Sequence, residues 1–210
     1  GQALAFLPYL LILSGFLGGA YLVIDATAGE RERQSLEPLL ATPAGRGMIM
    51  SGKILAACAF GMLTLLLTLL SFKAAFMLAP SLGIKLSLSW LQIAQMLLVL
   101  VPIVLIGTGL LTVIAAGAKS VKEAQSYMSI LMMLPILPTI ILMVNPMKNA
   151  LWQFAVPFLA QNQMILKIVR SETIGAAEWG VYLACGFGMG AVLWWIAARR
   201  YHNEKLAVSA

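Results

Sequence analysis

Five long apolar runs alternate with short polar stretches along the chain, at residues 3–24, 50–79, 90–117, 125–144 and 176–198. Each is about 20 residues or longer, the length an α-helix needs to cross ~30 Å of hydrocarbon. The runs are continuous and Leu-rich, without the period-two alternation of a barrel strand. A backbone polar group left unpaired in lipid costs several kcal/mol, so only helices and closed barrels span. The pattern predicts an all-α fold: a polytopic integral membrane helix bundle, one transmembrane domain over residues 1–210.

Punctuation within the runs adds detail. Lys53 and Lys73 bracket an uncharged stretch in the second run. At 1.5 Å per residue that stretch is about 29 Å long, so each lysine is expected to snorkel to its own interface. Pro135 and Pro138 are expected to kink the fourth run, since each removes a backbone hydrogen bond. Gly15 with Gly19, and Gly186 with Gly190, have the small-xxx-small spacing that lets helices approach closely, within the bundle or at a dimer face. Residues 145–175 are broken by Pro146, Pro157, Gln161, Asn162, Gln163, Lys167, Arg170 and Glu172, too polar to cross. One or two short helices lying in, or dipping into, the outer leaflet are predicted there. Trp152 and Trp179 are expected at interface depth.

Composition agrees with a membrane protein. The chain is 61% hydrophobic and 10% charged, against about 25% charged in a soluble domain. Its net charge of +6 does not require nucleic acid, because the basic residues are sparse and cluster near span ends. One face collects Arg31, Arg33, Arg46, Lys53, Lys119, Lys122, Arg199, Arg200 and Lys205. The other holds Lys73, Lys85, Lys148, Lys167 and Arg170. The richer face is expected to be cytoplasmic, which puts the N-terminus outside and the C-terminus inside. No basic n-region or cleavage site opens the chain, so no signal peptide is read. A polytopic chain starting outside without one is expected to follow a preceding span. Cys58 and Cys185 have neither CxxC spacing nor a neighbouring histidine, and read as small buried helix residues.

The segment 28–43, AGERERQSLEPLLATP, is the polar exception between two spans. Thr27 and Glu30 have capping-box spacing, and Glu30 and Glu32 suit the positive end of a helix. Leu36, Leu39 and Leu40 fall on one face. Pro38 is expected to start a second short turn with Ser35 as its cap. Pro43, Gly45 and Gly47 end the unit. On these grounds alone the segment is either an interfacial amphipathic anchor or a docking surface.

Residues 29–53, GERERQSLEPLLATPAGRGMIMSGK, resemble the signature of the type-2 ABC exporter permeases, most of all the sodium-efflux type. The resemblance lies in Glu30, Glu32, Leu36, Glu37, Leu39, Leu40, Thr42, Pro43, Gly52 and Lys53. Pro157-Phe158, and Arg200-Tyr201 followed by Glu204-Lys205, resemble further family features. The resemblance implies that 28–43 is a cytoplasmic coupling helix resting in a groove of an ATP-binding subunit. Its docking residues would be Glu30, Arg31, Glu32, Arg33, Leu36, Glu37, Leu39, Leu40, Thr42 and Pro43. It also implies a second permease copy, as homo- or heterodimer, in a bacterial cytoplasmic (inner) membrane. The chain would supply the second to sixth spans, after a first span and an external domain. ATP and Mg would be held by the partner, with no cofactor and no metal on this chain. The implied cargo, moved outward, is sodium or a hydrophobic drug, peptide or lipid.

Several chemistries lack their residues. No GxxxxGK[ST] loop is present, nor a GxSxG elbow, and the sole histidine, His202, sits in the polar tail. Asp25 and Glu178 lie at span ends, not mid-span, which weakens a proton- or ion-coupled carrier. Thr64, Thr68, Thr108, Thr112, Ser126 and Ser129 could offer oxygens to a hard cation, but hydrogen bonding within their own helices is the simpler expectation. A non-transporting anchoring or assembly subunit is the rival class.

Overall fold

The computed structural model describes residues 6–34, 38, 41, 43, 45–78, 81, 88–145, 147–148 and 150–202. Helix α1 is Leu7–Ile24, with Pro8 in its first turn, where a missing N–H leaves nothing unsatisfied. It does not stop at the apolar boundary. A π-helical turn, Asp25–Gly29, and an α-helical stretch, Glu30–Glu32, carry it on. Gln34, with φ 58°, takes the left-handed conformation common at helix ends.

Helix α2 is Arg46–Leu78 and α3 is Trp90–Ala115. Ser89 and Gln92 form a capping box at the start of α3. Helix α4 is Val121–Met133, opened by Ser120, whose hydroxyl accepts from the Glu123 N–H at 3.2 Å. That cap starts the fourth span at Val121 and not at 125. The chain then turns at Leu134 and Pro135 before α5, Ile136–Val144. The prolines break the fourth span as predicted, because Pro135 has no N–H to continue the ladder. A 3-10 turn, Leu151–Ala155, leads to α6, Leu159–Val169, and α7 is Ala176–His202. No strand occurs among the described residues. Five helical runs are long and apolar enough to cross a membrane: Leu7–Gly29, Met48–Leu78, Trp90–Ala115, Val121–Val144 and Ala176–Arg200. The architecture is the all-α, multi-pass bundle that the apolar runs predict.

Helix α3 is the axis. It packs on α1, α2, α6 and α7, and it is the most buried of the five spans, whereas the span made by α4 and α5 is the most exposed. Leu11 of α1, Leu65 of α2, and Met96, Leu100 and Ile103 of α3 centre the main core. Lipid tails are as apolar as leucine, so helix association here depends on close packing and not on escape from water. The glycines supply it. A Cβ on Gly19 would lie 2.6 Å from the Ala57 carbonyl oxygen of α2, and one on Gly61 would lie 2.9 Å from the Gly15 oxygen. A Cβ on Gly186 would meet Pro102 of α3 at 2.7 Å. Both glycine pairs therefore serve packing inside the bundle.

The segment after α5 departs from a helix laid along the surface. Every residue of α6 from Leu159 to Ile168 is buried, and the helix packs on α1, α3 and the 3-10 turn. Its polar side chains, Gln161, Asn162, Gln163 and Lys167, would be costly against lipid. Enclosure by protein lets each find a partner.

Candidate functional site

The basic end of the bundle carries the charged segment. Thr27 does not cap a helix start, because α1 runs through it. Its hydroxyl donates back to the Val23 carbonyl at 2.6 Å, and the Thr27–Glu30 capping box is not formed. Glu30 turns instead to Lys53 of α2, with Nζ 2.5 Å from Oε2. The same Nζ donates to the Ala26 carbonyl at 2.5 Å. Lys53 therefore does not snorkel outward: its side chain is 12% exposed and held between α1 and α2. Lys73, at the other end of the run, donates to the Leu88 carbonyl at 2.5 Å and sits 4.8 Å from the Trp90 ring centre.

Glu32 reaches a third element. Its Oε2 accepts the Val121 N–H, the first of α4, at 2.9 Å, where a helix start offers unpaired donors and positive potential. Arg33 bends back to Asp25 at 2.7 Å. The bond and charge of Asp25 hold the guanidinium above its ordinary pKa. Gly29 makes room for it, since a Cβ there would lie 3.0 Å from the Asp25 carboxylate and 3.3 Å from the guanidinium. Arg31 is described by its backbone only. Pro43 is exposed. Leu36, Glu37, Leu39, Leu40 and Thr42 lie outside the described residues, as does the Ser35 cap.

The six hydroxyls considered for a cation each donate within their own helix. Thr64 bonds the Phe60 carbonyl, Thr68 that of Thr64, Thr108 that of Val104 and Thr112 that of Thr108. Ser126 and Ser129 bond the carbonyls of Lys122 and Gln125. Cys58 is half-buried, its sulfur 3.1 Å from the Thr108 hydroxyl, whereas Cys185 is exposed and not buried as expected.

The opposite end holds a polar network built largely from residues that, in sequence, read only as breaks in the apolar pattern. The Gln161 amide donates to the Tyr182 hydroxyl at 3.1 Å, and that hydroxyl donates to the Val99 carbonyl of α3. Asn162 accepts from Thr139 of α5, and Gln163 donates to Gln153. Lys167, 7% exposed, donates to both oxygens of Glu178 at 3.0 Å. The signal was present in the sequence: three consecutive amides, then Lys167, with Glu178 opening the next span. Phe158, which opens α6, has φ 67°, a strained conformation for a bulky residue. Gln161 Oε1 holds its N–H at 2.6 Å, and its ring meets Phe16 edge-on at 6.1 Å.

Residues 4–202 match the family model described as "ABC-2 family transporter protein". The chain belongs to the ABC-2 transporter family. This member is also 34% identical over 182 residues to the ABC transporter permease protein NatB of Bacillus subtilis (strain 168), an alignment covering 81% of the chain. The chain spans 46% of that relative's length. With its five apolar helices, this ABC-2 chain is a multi-pass membrane protein.

Proposed function

We propose that this chain is the main membrane part of a permease subunit in an ATP-driven exporter. Residues 28–43 are its docking segment for a cytoplasmic ATP-binding subunit. The observation that carries this reading is the placement of the segment's first residues, Ala28 to Glu32: a charged helical extension of one span, tied to the ends of two others, in a chain of the ABC-2 family. ATP and Mg belong to the partner, and a second permease copy completes the pathway. The basic end is cytoplasmic, in a bacterial inner membrane. Co-purification tests docking: full-length permease carrying Leu40→Asp loses the ATP-binding subunit while its membrane insertion is unchanged. Retention of the partner at wild-type stoichiometry defeats the reading.

Between sodium and a hydrophobic cargo we propose the latter, entering at a small apolar recess that would have to open to admit it. Phe16, Gly107, Leu111, Met128, Leu131 and Phe158 line it, between α1, α3 and α4. Aromatic and aliphatic walls offer area to an apolar molecule and few oxygens to a cation. Quenching of an environment-sensitive hydrophobic dye by a bromine-labelled Met128→Cys variant is expected. Equal quenching from an exposed site such as Ile140→Cys counts against the pocket.

A further inference from the structure

We infer that Glu30 and Glu32 are positioning residues that carry displacement of the docking segment into α2 and α4, and do not themselves contact the ATP-binding subunit. The inference rests on the reading of residues 28–43 as that docking segment.

The geometry is specific. Two acidic residues on one helical stretch reach two different spans. Glu30 is clamped by Lys53, which also holds the Ala26 carbonyl in the preceding turn. One ammonium thus fastens two turns of the α1 extension to α2. The pair is largely shielded, with side chains 12% and 22% exposed, so water and salt weaken it less than a surface pair. Glu32 takes the α4 side, closing on the Val121 N–H. The start of α4 is itself stiffened there, because Ser120 accepts the Glu123 N–H and Glu123 accepts the Lys119 N–H at 3.0 Å.

The rest of the fold leaves this role open. Helices α2 and α4 do not pack extensively on each other, whereas each packs on α1. The carboxylates of residues 30 and 32 therefore bridge spans that the core does not couple directly. The π-helical turn just above, Asp25–Gly29, gives the extension a place to pivot, since π-turns are weaker than α-turns and concentrate at functional sites. The Arg33–Asp25 pair spans that turn and keeps the extension folded against it. A push on the segment beyond residue 33 then reaches α2 through Lys53 and α4 through Val121.

The test uses the full-length permease assembled with its ATP-binding subunit, in a Cys58→Ala, Cys185→Ala background. Spin labels at Met48→Cys on α2 and Gln125→Cys on α4 report the separation of the two spans, with ATP and without nucleotide. The assembled wild type shows an ATP-dependent shift in that distance. Glu30→Ala and Glu32→Ala each abolish the shift while the partner still co-purifies at wild-type stoichiometry. Lys53→Arg, whose guanidinium carries donors for both oxygens, is expected to retain it, and its loss there together with retention in Glu30→Ala overturns the inference. Retention of the shift in both alanine variants overturns the inference. So does loss of the partner from either, which would make these carboxylates docking contacts. Absence of any ATP-dependent shift in the wild-type complex overturns it as well. Failure of docking itself is read separately, from Leu40→Asp.

Discussion

At the scale of single residues, the tight positions and the paired charges make opposite demands on a substitution. A Cβ at Gly19 would lie 2.6 Å from a backbone oxygen that cannot rotate away, whereas nothing lies within 4 Å of one at Gly52. Gly19→Ala should therefore destabilise the α1–α2 contact by about 1–3 kcal/mol, the usual cost of overpacking. Gly52→Ala should be neutral, or stabilising by up to about 1 kcal/mol through helix propensity. Thermal unfolding of the two variants in one detergent checks the order, and equal midpoints would contradict it. Lys167 poses the reverse problem. Its ammonium is nearly enclosed and bonds both Glu178 oxygens. Lys167→Met leaves a carboxylate without its cation, at a cost of about 3 kcal/mol. Adding Glu178→Gln removes the stranded charge and should recover most of that loss. A double variant no more stable than the single one would show that the pair is not the source of the effect.

At the scale of elements, the sequence marks helix bodies better than helix ends. Apolar runs set the bodies of all five spans, because a run that long and apolar, without a barrel's alternation, can satisfy its backbone in lipid only as a helix. The ends depend on individual donors and acceptors. Ser120 and Glu123 start α4 at Val121, ahead of the apolar run, while Thr27 looks like a cap and is the middle of a helix. Capping spacing is local, and here a tertiary bond from Lys53 to Ala26 and Glu30 favours continuing α1 instead. The break at Pro135 is a property of the element itself. Pro135→Ala should join α4 and α5 into one helix, slowing amide exchange across residues 134–138. Unchanged exchange there would assign the break to packing and not to the proline.

At the scale of the whole molecule, five spans and the buried helix α6 give the two ends different characters. The basic end ties its spans together through Glu30, Glu32 and Lys53. The other end closes over α6 with amides and one ion pair. The excess of lysine and arginine at the first end is the basis for proposing that it faces the cytoplasm. In intact cells, in the same Cys58→Ala, Cys185→Ala background, Ser171→Cys should react with a membrane-impermeant thiol reagent and Ser120→Cys should not. The opposite labelling pattern would invert the proposed topology.

The sequence alone determined that this chain lives in a membrane as helices, because only helices and closed barrels satisfy their backbone hydrogen bonds in hydrocarbon and its continuous apolar runs lack a barrel's alternation. It also determined where the fourth span breaks and that residues 29–53 resemble an ABC exporter permease, since proline chemistry and a linear motif are legible without contacts. Only the tertiary structure decided what the polar residues face. Lys53 flanks an apolar run and so looks like an interface anchor, yet it turns to a carboxylate 23 positions earlier in the chain. Residues 159–168 read as a short helix lying in or dipping into the outer leaflet, yet they are enclosed, because partners on α3, α5, α7 and the 3-10 turn satisfy their amides, ammonium and backbone. Hydropathy records what a residue costs in lipid. Whether that cost is met by water or by a partner distant in sequence depends on which helices the fold brings together.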